Sequence, residues 1–204
     1  MVEVDLQGQG IRDARVLAAM GRVPRERFVD ESVRMHAYGD YPLPIGHGQT
    51  ISQPYVVALM SELLELGGGE RVLDIGTGSG YQAAVLAELA GHVVSIEIQP
   101  DLAAEAGERL ATLGYGNVEV HAGDGFFGWE AAAPYDAIVM AAAAPRVPDR
   151  LVEQLREGGR LVMPLGEEDD QRLVRGRKRG GRLELETIGG VLFVPMTGEI
   201  RRVR

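Results

Sequence analysis

The stretch from Arg71 to Leu89, RVLDIGTGSGYQAAVLAEL, constrains the fold more than any other part of the chain. Val72-Leu73-Asp74-Ile75 is a short, mostly apolar run bounded by glycine on both sides, as expected of a strand buried in a parallel sheet. Gly76, Gly78 and Gly80 follow at alternate positions, and Tyr81 to Leu89 is rich in strong helix formers. Strand, glycine turn and helix make the first half of a Rossmann-type unit, with bare backbone offered to a ligand at the turn. The spacing narrows the choice of ligand. A dinucleotide site prefers G-x-G-x-x-G, which brings a pyrophosphate to the helix N-terminus. Here the pattern is D-x-G-x-G-x-G, with Asp74 inside the strand end. A carboxylate there repels phosphates and suits a cationic or amino-bearing ligand. S-adenosylmethionine, with a sulfonium, an ammonium and no phosphate, is such a ligand. A tight turn that needs only left-handed backbone would use the same glycines.

The alternation continues downstream. Strands are expected at His92–Ile96, Val118–His121, Tyr135–Met140 and Arg160–Met163, with helices at Tyr81–Leu89, Asp101–Leu113 and Val147–Leu155. This predicts an α/β fold, a doubly wound, mostly parallel sheet. Right-handed crossovers would line up three candidate sites, Gly76 to Gly80, Glu97 and Asp124, along the carboxyl ends of neighbouring strands. Glu97 stands about twenty residues beyond the glycine turn, where nucleoside-binding folds put a carboxylate on the ribose hydroxyls. The plainer reading is a charged strand end. Asp124, in Ala122-Gly123-Asp124-Gly125, is placed to accept from an adenine amino group or to serve only as a turn aspartate. Past Gly166, Gln171–Arg179 and Leu183–Ile188 form an antiparallel hairpin signal around Gly180-Gly181, and Val191–Pro195 reads as a further strand. The basic residues Arg172, Arg175, Arg177, Lys178, Arg179 and Arg182 read as the solvated, protected edge of that hairpin, or else as a grip for an acidic partner.

Ahead of the core, Ile11–Met20 has the pattern of an amphipathic helix closed by Gly21, and Arg22, Arg25 and Arg27 read as a solvated face. Tyr38 to Pro54, YGDYPLPIGHGQTISQP, is too rich in Pro and Gly for helix or strand and long for a plain connector, which points to function. A helix follows over Pro54–Leu66, with Pro54 suited to its first turn. The whole, residues 1–204, is expected to be one domain: N-terminal helices and loop over 1–70, a cofactor-binding core over 71–165, and a C-terminal hairpin and strand over 166–204. Net charge is −9, which disfavours a nucleic-acid substrate gripped through its phosphates. Cysteine is absent and the four histidines have no paired ligand spacing, so neither a disulfide framework nor a metal site is expected. The opening residues lack a signal-peptide pattern and no run approaches a membrane span, so a cytoplasmic protein is expected.

The loop and core together closely resemble the protein-L-isoaspartate (D-aspartate) O-methyltransferase family. The family's AY-x-D-x-PLPIG-x-GQTISQP run is matched from Ala37 to Pro54, and its cofactor motif from Val72 to Tyr81. Val23–Val29, Gly123-Asp124-Gly125 and Leu155–Val162 are also family-like, whereas the residues after about 166 match loosely. The TISQP loop is highly specific; the glycine motif is common to most class I methyltransferases. The resemblance implies methyl transfer from S-adenosylmethionine, leaving S-adenosylhomocysteine, to the free α-carboxylate of L-isoaspartyl or D-aspartyl residues in damaged proteins and peptides. The ester then collapses to a succinimide. By the resemblance Ser52 takes the active-site serine position with Thr50 beside it. Glu97 takes the ribose contact, with Ile98 next to it, and Asp124 with Gly125 the adenine site. Cofactor contacts are further implied at Gln53, Asp74, Gly76, Thr77, Gly78, Ser79, Gly80 and Ala141. Substrate contacts are implied at Ile51, His47 and Thr197. The resemblance also implies a monomer, and an exchange of the last two strands of the class I sheet.

The chemistry agrees with such a loop. A carboxylate acceptor with a pKa near 4 is already ionised at neutral pH and needs no general base. It needs position, desolvation and a donor on one oxygen while the other attacks. Gly48 to Pro54 is uncharged and carries two hydroxyls and two side-chain amides. Ser52 is therefore read as an orienting donor, not a nucleophile, although a serine two residues before a Pro-started helix is also a natural N-cap. His47, between two glycines, is read as shaping the entrance. An amine or nucleic-acid methyltransferase would want polar or aromatic groups after the fourth core strand, where this chain has Ala141 to Ala144 and Pro145. The same scaffold could also methylate normal aspartate in a partner peptide, or bind the cofactor without catalysis. A nicotinamide dehydrogenase is opposed by the G-x-G-x-G spacing and by Asp74.

Overall fold

The computed structural model describes residues 1–167 and 169–202; Val203 and Arg204 of the basic tail lie outside the described residues. Helix α1 (Ala14–Arg22) begins where Asp13 accepts hydrogen bonds from the Arg15 and Val16 amides. It starts and ends later than the apolar spacing suggests. Gly21 lies inside its last turn, and the backbone becomes extended only at Val23. The Pro- and Gly-rich loop, which by composition suits no strand, holds a minimal antiparallel ladder, β1 (Leu43–Pro44) with β2 (Thr50–Ile51). Helix α2 (Pro54–Leu63) follows with Pro54 in its first turn.

The central sheet has seven strands in the order β5-β4-β3-β6-β7-β8-β9. Strand β3 (Arg71–Ile75) is its middle, and α3 (Tyr81–Ala87) leads to β4 (His92–Glu97). Helix α4 (Pro100–Thr112) then returns the chain to β5 (Val118–Ala122), and β6 (Tyr135–Met140) crosses to the other side of β3. Helix α5 (Asp149–Gln154) precedes β7 (Leu155–Glu167), which is parallel to β6. Strands β8 (Asp170–Arg179) and β9 (Arg182–Val191) add antiparallel at that edge. The chain reverses beside β3, so β4 and β6 flank it and a crevice opens at their carboxyl ends. The last two strands stand in sequence order, as the resemblance implied.

Alternate residues of β3 serve two cores. Val72 packs with α1, α2 and α3, while Leu73 and Ile75 pack with β6, α5 and the C-terminal segment. Two other boundaries differ from expectation. Gly158 and Gly159 lie within β7 rather than ahead of it, beside an irregularity in its pairing with β6. The strand expected over Val191–Pro195 ends at Val191; beyond it the Gln171 side chain of β8 holds the Phe193 backbone on both sides, and Pro195 forms an isolated bridge with Ala143.

The two arginine clusters have different fates. Arg175 and Arg177 both pair with Glu65, Arg175 also with Glu186, and Arg179 with Glu184. Lys178 donates to the carbonyls of Val152 and Leu155 at the end of α5. Much of the hairpin's positive charge is thus paired, partly within the hairpin and partly by Glu65 just beyond α2. Arg25, expected on a solvated face, is instead fully buried. Its Nε donates to the Ala37 carbonyl (2.7 Å) and its guanidinium lies over the Tyr81 ring, 4.8 Å from the centroid. Burial lowers its pKa.

Candidate active site

A cleft of about 860 Å³ opens at the carboxyl ends of β3, β4 and β6. Its floor is the glycine turn after β3. Gly76, Gly78 and Gly80 all have left-handed backbone (φ 91°, 52° and 90°), so the turn demands glycine at each alternate position. Gly76 and Gly78 line the cleft and Gly80 does not. A Cβ on Gly80 would lie 3.1 Å from Leu110, so this residue lets α3 pack against α4. Among the described residues, Glu97 is the only charged side chain lining the cleft. One carboxylate among neutral side chains, with no lysine or arginine, suits a cation carrying a nucleoside better than a phosphate.

Glu97 is nearly buried, and both carboxylate oxygens hold backbone. Oε2 accepts from the Gly78 amide (2.9 Å) and Oε1 from the Gln99 amide (3.1 Å). The carboxylate that lines the cleft therefore also fixes the turn beneath it. Ile98, beside it, lines the cleft as well. Asp74 behaves differently. It is completely buried and does not line the cleft, because its side chain points into the core side of β3. Ser95 Oγ donates to Asp74 Oδ2 (2.7 Å) and contacts Thr77 Oγ1 (2.6 Å), which leaves Thr77 as the donor to Ser95. Asp74 Oδ1 has no partner. Burial pushes the Asp74 carboxyl up to about 7; the Ser95 bond pulls against that and the Glu97 charge adds to it. Asp74 reaches the cleft only through Ser95 and Thr77, the latter a lining residue.

Asp124 also lies outside the lining. Its Oδ1 accepts from the Phe126 amide (2.9 Å) and its Oδ2 from the Glu199 amide (2.7 Å). The carboxylate closes its own turn and ties the C-terminal segment to the end of β5, while Gly125 beside it does line the cleft. Of the two roles open to this aspartate by spacing, the turn role is therefore filled.

The loop supplies the opposite wall. Thr50, Ile51 and Ser52 line the cleft, facing Ala141 and Thr197. The amide of Tyr55 at the start of α2 is capped by Asp40 Oδ1 (3.0 Å), not by Ser52. Asp40 Oδ2 also accepts from Gln53 (2.8 Å) and Gln9 (2.6 Å). With the capping duty held by Asp40, Ser52 lines the cleft. Gln53, expected at the cofactor, instead lines a neighbouring groove, because Asp40 holds its amide on that side. His47 lines neither cavity. It stands at the β1–β2 tip with left-handed backbone (φ 52°), its Nε2 3.3 Å from Glu105 on α4.

The family model of protein-L-isoaspartate (D-aspartate) O-methyltransferase matches residues 1–201. The chain belongs to that family. A protein-L-isoaspartate O-methyltransferase from Methanoculleus marisnigri is 55% identical over 199 residues, which cover 98% of this chain and 90% of the relative. A solved protein-L-isoaspartate O-methyltransferase superposes with TM-score 0.87 at 31% identity over 95% of this chain, which spans 64% of that solved chain's length. A second solved structure of the family, from Plasmodium falciparum and in complex with S-adenosyl-L-homocysteine, gives TM-score 0.82 at 28% identity over 96% of both chains.

Within this methyltransferase framework several cleft residues escape sequence reasoning. Val194, Pro195 and Met196 line it because the C-terminal segment returns beside the end of β6: Ala143 donates to the Val194 carbonyl (2.9 Å) and Met196 to the Ala143 carbonyl (2.7 Å). Some fifty residues separate those partners, and no local pattern announces the contact. Tyr81 and Gln82, from the first turn of α3, complete the inner end. Tyr81 closes the family-like cofactor motif, whereas a helix-opening position after the third glycine is the one signal the sequence offers for Gln82.

Proposed function

We propose that this chain transfers the methyl group of S-adenosylmethionine to the free α-carboxylate of an L-isoaspartyl residue in damaged protein, so that the ester can collapse to a succinimide and be repaired. Family membership over nearly the whole chain supports the reaction. The observation that carries the assignment of roles is a single cleft with a nearly uncharged cofactor wall on one side and the Thr50–Ser52 loop on the other. S-adenosylmethionine, when bound, supplies an electrophilic methyl on a sulfonium.

The chain's own residues do the rest. Gly76, Thr77, Gly78 and Ser79 offer backbone and hydroxyls to the cofactor; Glu97 holds its ribose hydroxyls, with Ile98, Gly125 and Ala141 against the nucleoside. Ser52 donates to one oxygen of the acceptor carboxylate and Thr50 supports it, while the other oxygen attacks in line. No base is required, since the acceptor is ionised already. The apolar surroundings, Ile51, Val57 and Ala141, exclude water while opposite charges neutralise. Thr197 closes the substrate side.

The whole of residues 1–204 works as one methyltransferase domain, a monomer in the cytoplasm. Protein rather than nucleic acid is its substrate, which the net charge of −9 favours. The test is methyl transfer from labelled S-adenosylmethionine to two synthetic peptides that differ only in isoaspartate against aspartate. Base-labile label on the isoaspartyl peptide alone is expected. Label on the aspartyl peptide would make the chain a modification enzyme, and label on neither, with cofactor bound, a binding protein.

A further inference from the structure

The turn after β5 carries a chemical liability of its own. In an Asp-Gly pair the glycine amide nitrogen, unhindered by a neighbouring side chain, can attack the aspartate Cγ. The C–N bond forms, and the nitrogen's proton and one carboxyl oxygen leave as water. The resulting succinimide takes up water at the main-chain carbonyl, which breaks that carbonyl's bond to nitrogen and leaves isoaspartate. The backbone is then longer by one methylene. Of the aspartates in this chain only Asp124 precedes glycine, and Asn117, the one asparagine, precedes the branched Val118. Asp124 is half-buried, so water reaches it.

Packing dictates both halves of the pair. A Cβ on Gly125 would collide with Ile75 Cγ2 of β3, so no larger residue fits there. Each Asp124 oxygen accepts from a different amide, Oδ1 from Phe126 (2.9 Å) and Oδ2 from Glu199 (2.7 Å); asparagine would meet one of them with N–H groups. The Glu199 amide comes this close because Gly198, with left-handed backbone (φ 88°), has no Cβ to strike the carboxylate. The same two bonds oppose cyclisation. Ring closure needs Cβ and the Gly125 nitrogen nearly eclipsed about the Cα–C bond, whereas a ψ of 112° at Asp124 turns them well apart. The carboxylate must leave both amides, and the backbone must rotate, before Cγ can meet that nitrogen.

We propose that Asp124 is this chain's own site of isomerisation, held in check by the C-terminal segment that supplies the Glu199 amide, and that its conversion to isoaspartate disables cofactor binding. This holds whatever the chain methylates. Damage requires local opening, so its rate follows the population in which the segment at Gly198–Glu199 has come away. The lesion lengthens the main chain just before Gly125, a lining residue of the cleft, and takes the side-chain carboxylate from both amides. The wall from Val194 to Thr197 loses a tie with it. A cofactor bound against that wall favours the closed state and slows the damage.

Incubation of the whole chain in heavy-oxygen water reads each ring opening as one heavy oxygen at residue 124, located by peptide mass spectrometry. The folded chain should gain label at least about tenfold more slowly than a synthetic peptide of residues 122–127, and saturating S-adenosylhomocysteine should slow it further. Glu199→Pro removes the amide and suits the first position of the short helical turn at Glu199–Arg201. Label should then enter about tenfold faster than in wild type, as loss of one bond to a carboxylate implies. Glu199→Ala keeps the amide and should label as wild type does. Calorimetry on aged protein should show the sites that bind S-adenosylhomocysteine falling in step with the isoaspartate found at residue 124. Labelling of the folded wild type at the peptide's rate, or isoaspartate at residue 124 with full cofactor binding, would overturn the proposal. So would a folded Glu199→Pro chain that labels no faster than wild type; if that variant does not fold, the peptide and cofactor comparisons decide with wild type alone.

Discussion

Replacing Asp74 by Asn should make the folded protein less sensitive to pH, and in a direction that the burial of Asp74 dictates. The wild-type carboxyl is completely buried, accepts one bond from Ser95 and has a second oxygen with no partner. Its pKa is raised from 3.8 to about 7, so the folded state keeps a proton that the unfolded chain has already lost. Stability from this group is therefore fully present below about pH 4 and is lost as pH rises through about 7. From about pH 5 to about pH 8.5 that loss spans roughly two pH units at 1.36 kcal/mol each, or roughly 2.5–3 kcal/mol. Asn keeps an acceptor for Ser95 and cannot ionise, but its amide nitrogen takes the place of the unpartnered oxygen. That costs about 1–3 kcal/mol at every pH. Urea unfolding of both proteins at the two pH values separates the effects, since all other titrating groups cancel in the difference. The variant should be the less stable at about pH 5 and should recover roughly 2.5 kcal/mol relative to wild type at about pH 8.5. A constant gap between the two proteins would mean that Asp74 is ionised in the fold throughout, and that the Ser95–Thr77 chain stabilises the anion.

Three further outcomes follow from the site. Ser52→Ala should lower kcat by about ten- to a hundredfold and leave the dissociation constant for S-adenosylhomocysteine within about twofold, since only the acceptor loses a donor; single-turnover kinetics beside calorimetry read the split. Asp40→Ala removes the cap on α2 and the anchor of Gln53, and should cost about 1–2 kcal/mol in denaturant unfolding while also lowering kcat through a loosened Thr50–Ser52 loop. Asp124→Ala orphans the amides of Phe126 and Glu199 and should cost about 2 kcal/mol, read by the same unfolding experiment. Cofactor affinity should fall with it, because the C-terminal wall of the cleft loses its tie.

Much of the fold is legible in the sequence, and what is not has physical causes. The central strands, the glycine turn and the hairpin at Gly180-Gly181 are local patterns, and β6 runs from Tyr135 to Met140 as its apolar run predicts. The cleft gathers Thr50, Ile51, Ser52, Gly76, Thr77, Gly78, Ser79, Glu97, Ile98, Gly125, Ala141 and Thr197 from the expected positions. Spacing says which strand end a residue occupies but not which way its side chain turns. Asp74 therefore faces the core, and Asp124 binds amides rather than opening to the cleft. Arg25 defies its pattern because a charged residue near a helix end is ordinarily solvated, whereas here the Tyr81 ring and the Ala37 carbonyl receive it. Ser52 illustrates the reverse case. A serine before a Pro-started helix suggests a cap, and only the fold reveals that Asp40, twelve residues upstream, has taken that place.

In the proposed reaction one cleft sets the hydroxyls of the TISQP loop against the cofactor's reacting end. A crystal structure with S-adenosylhomocysteine and an isoaspartyl peptide bound together tests it most directly. The α-carboxylate should lie between the cofactor sulfur and the loop, with one oxygen within hydrogen-bond distance of Ser52 Oγ and the other in line with the sulfur. An isoaspartyl carboxylate held elsewhere, with Ser52 bonded only to its own helix or to solvent, would contradict it.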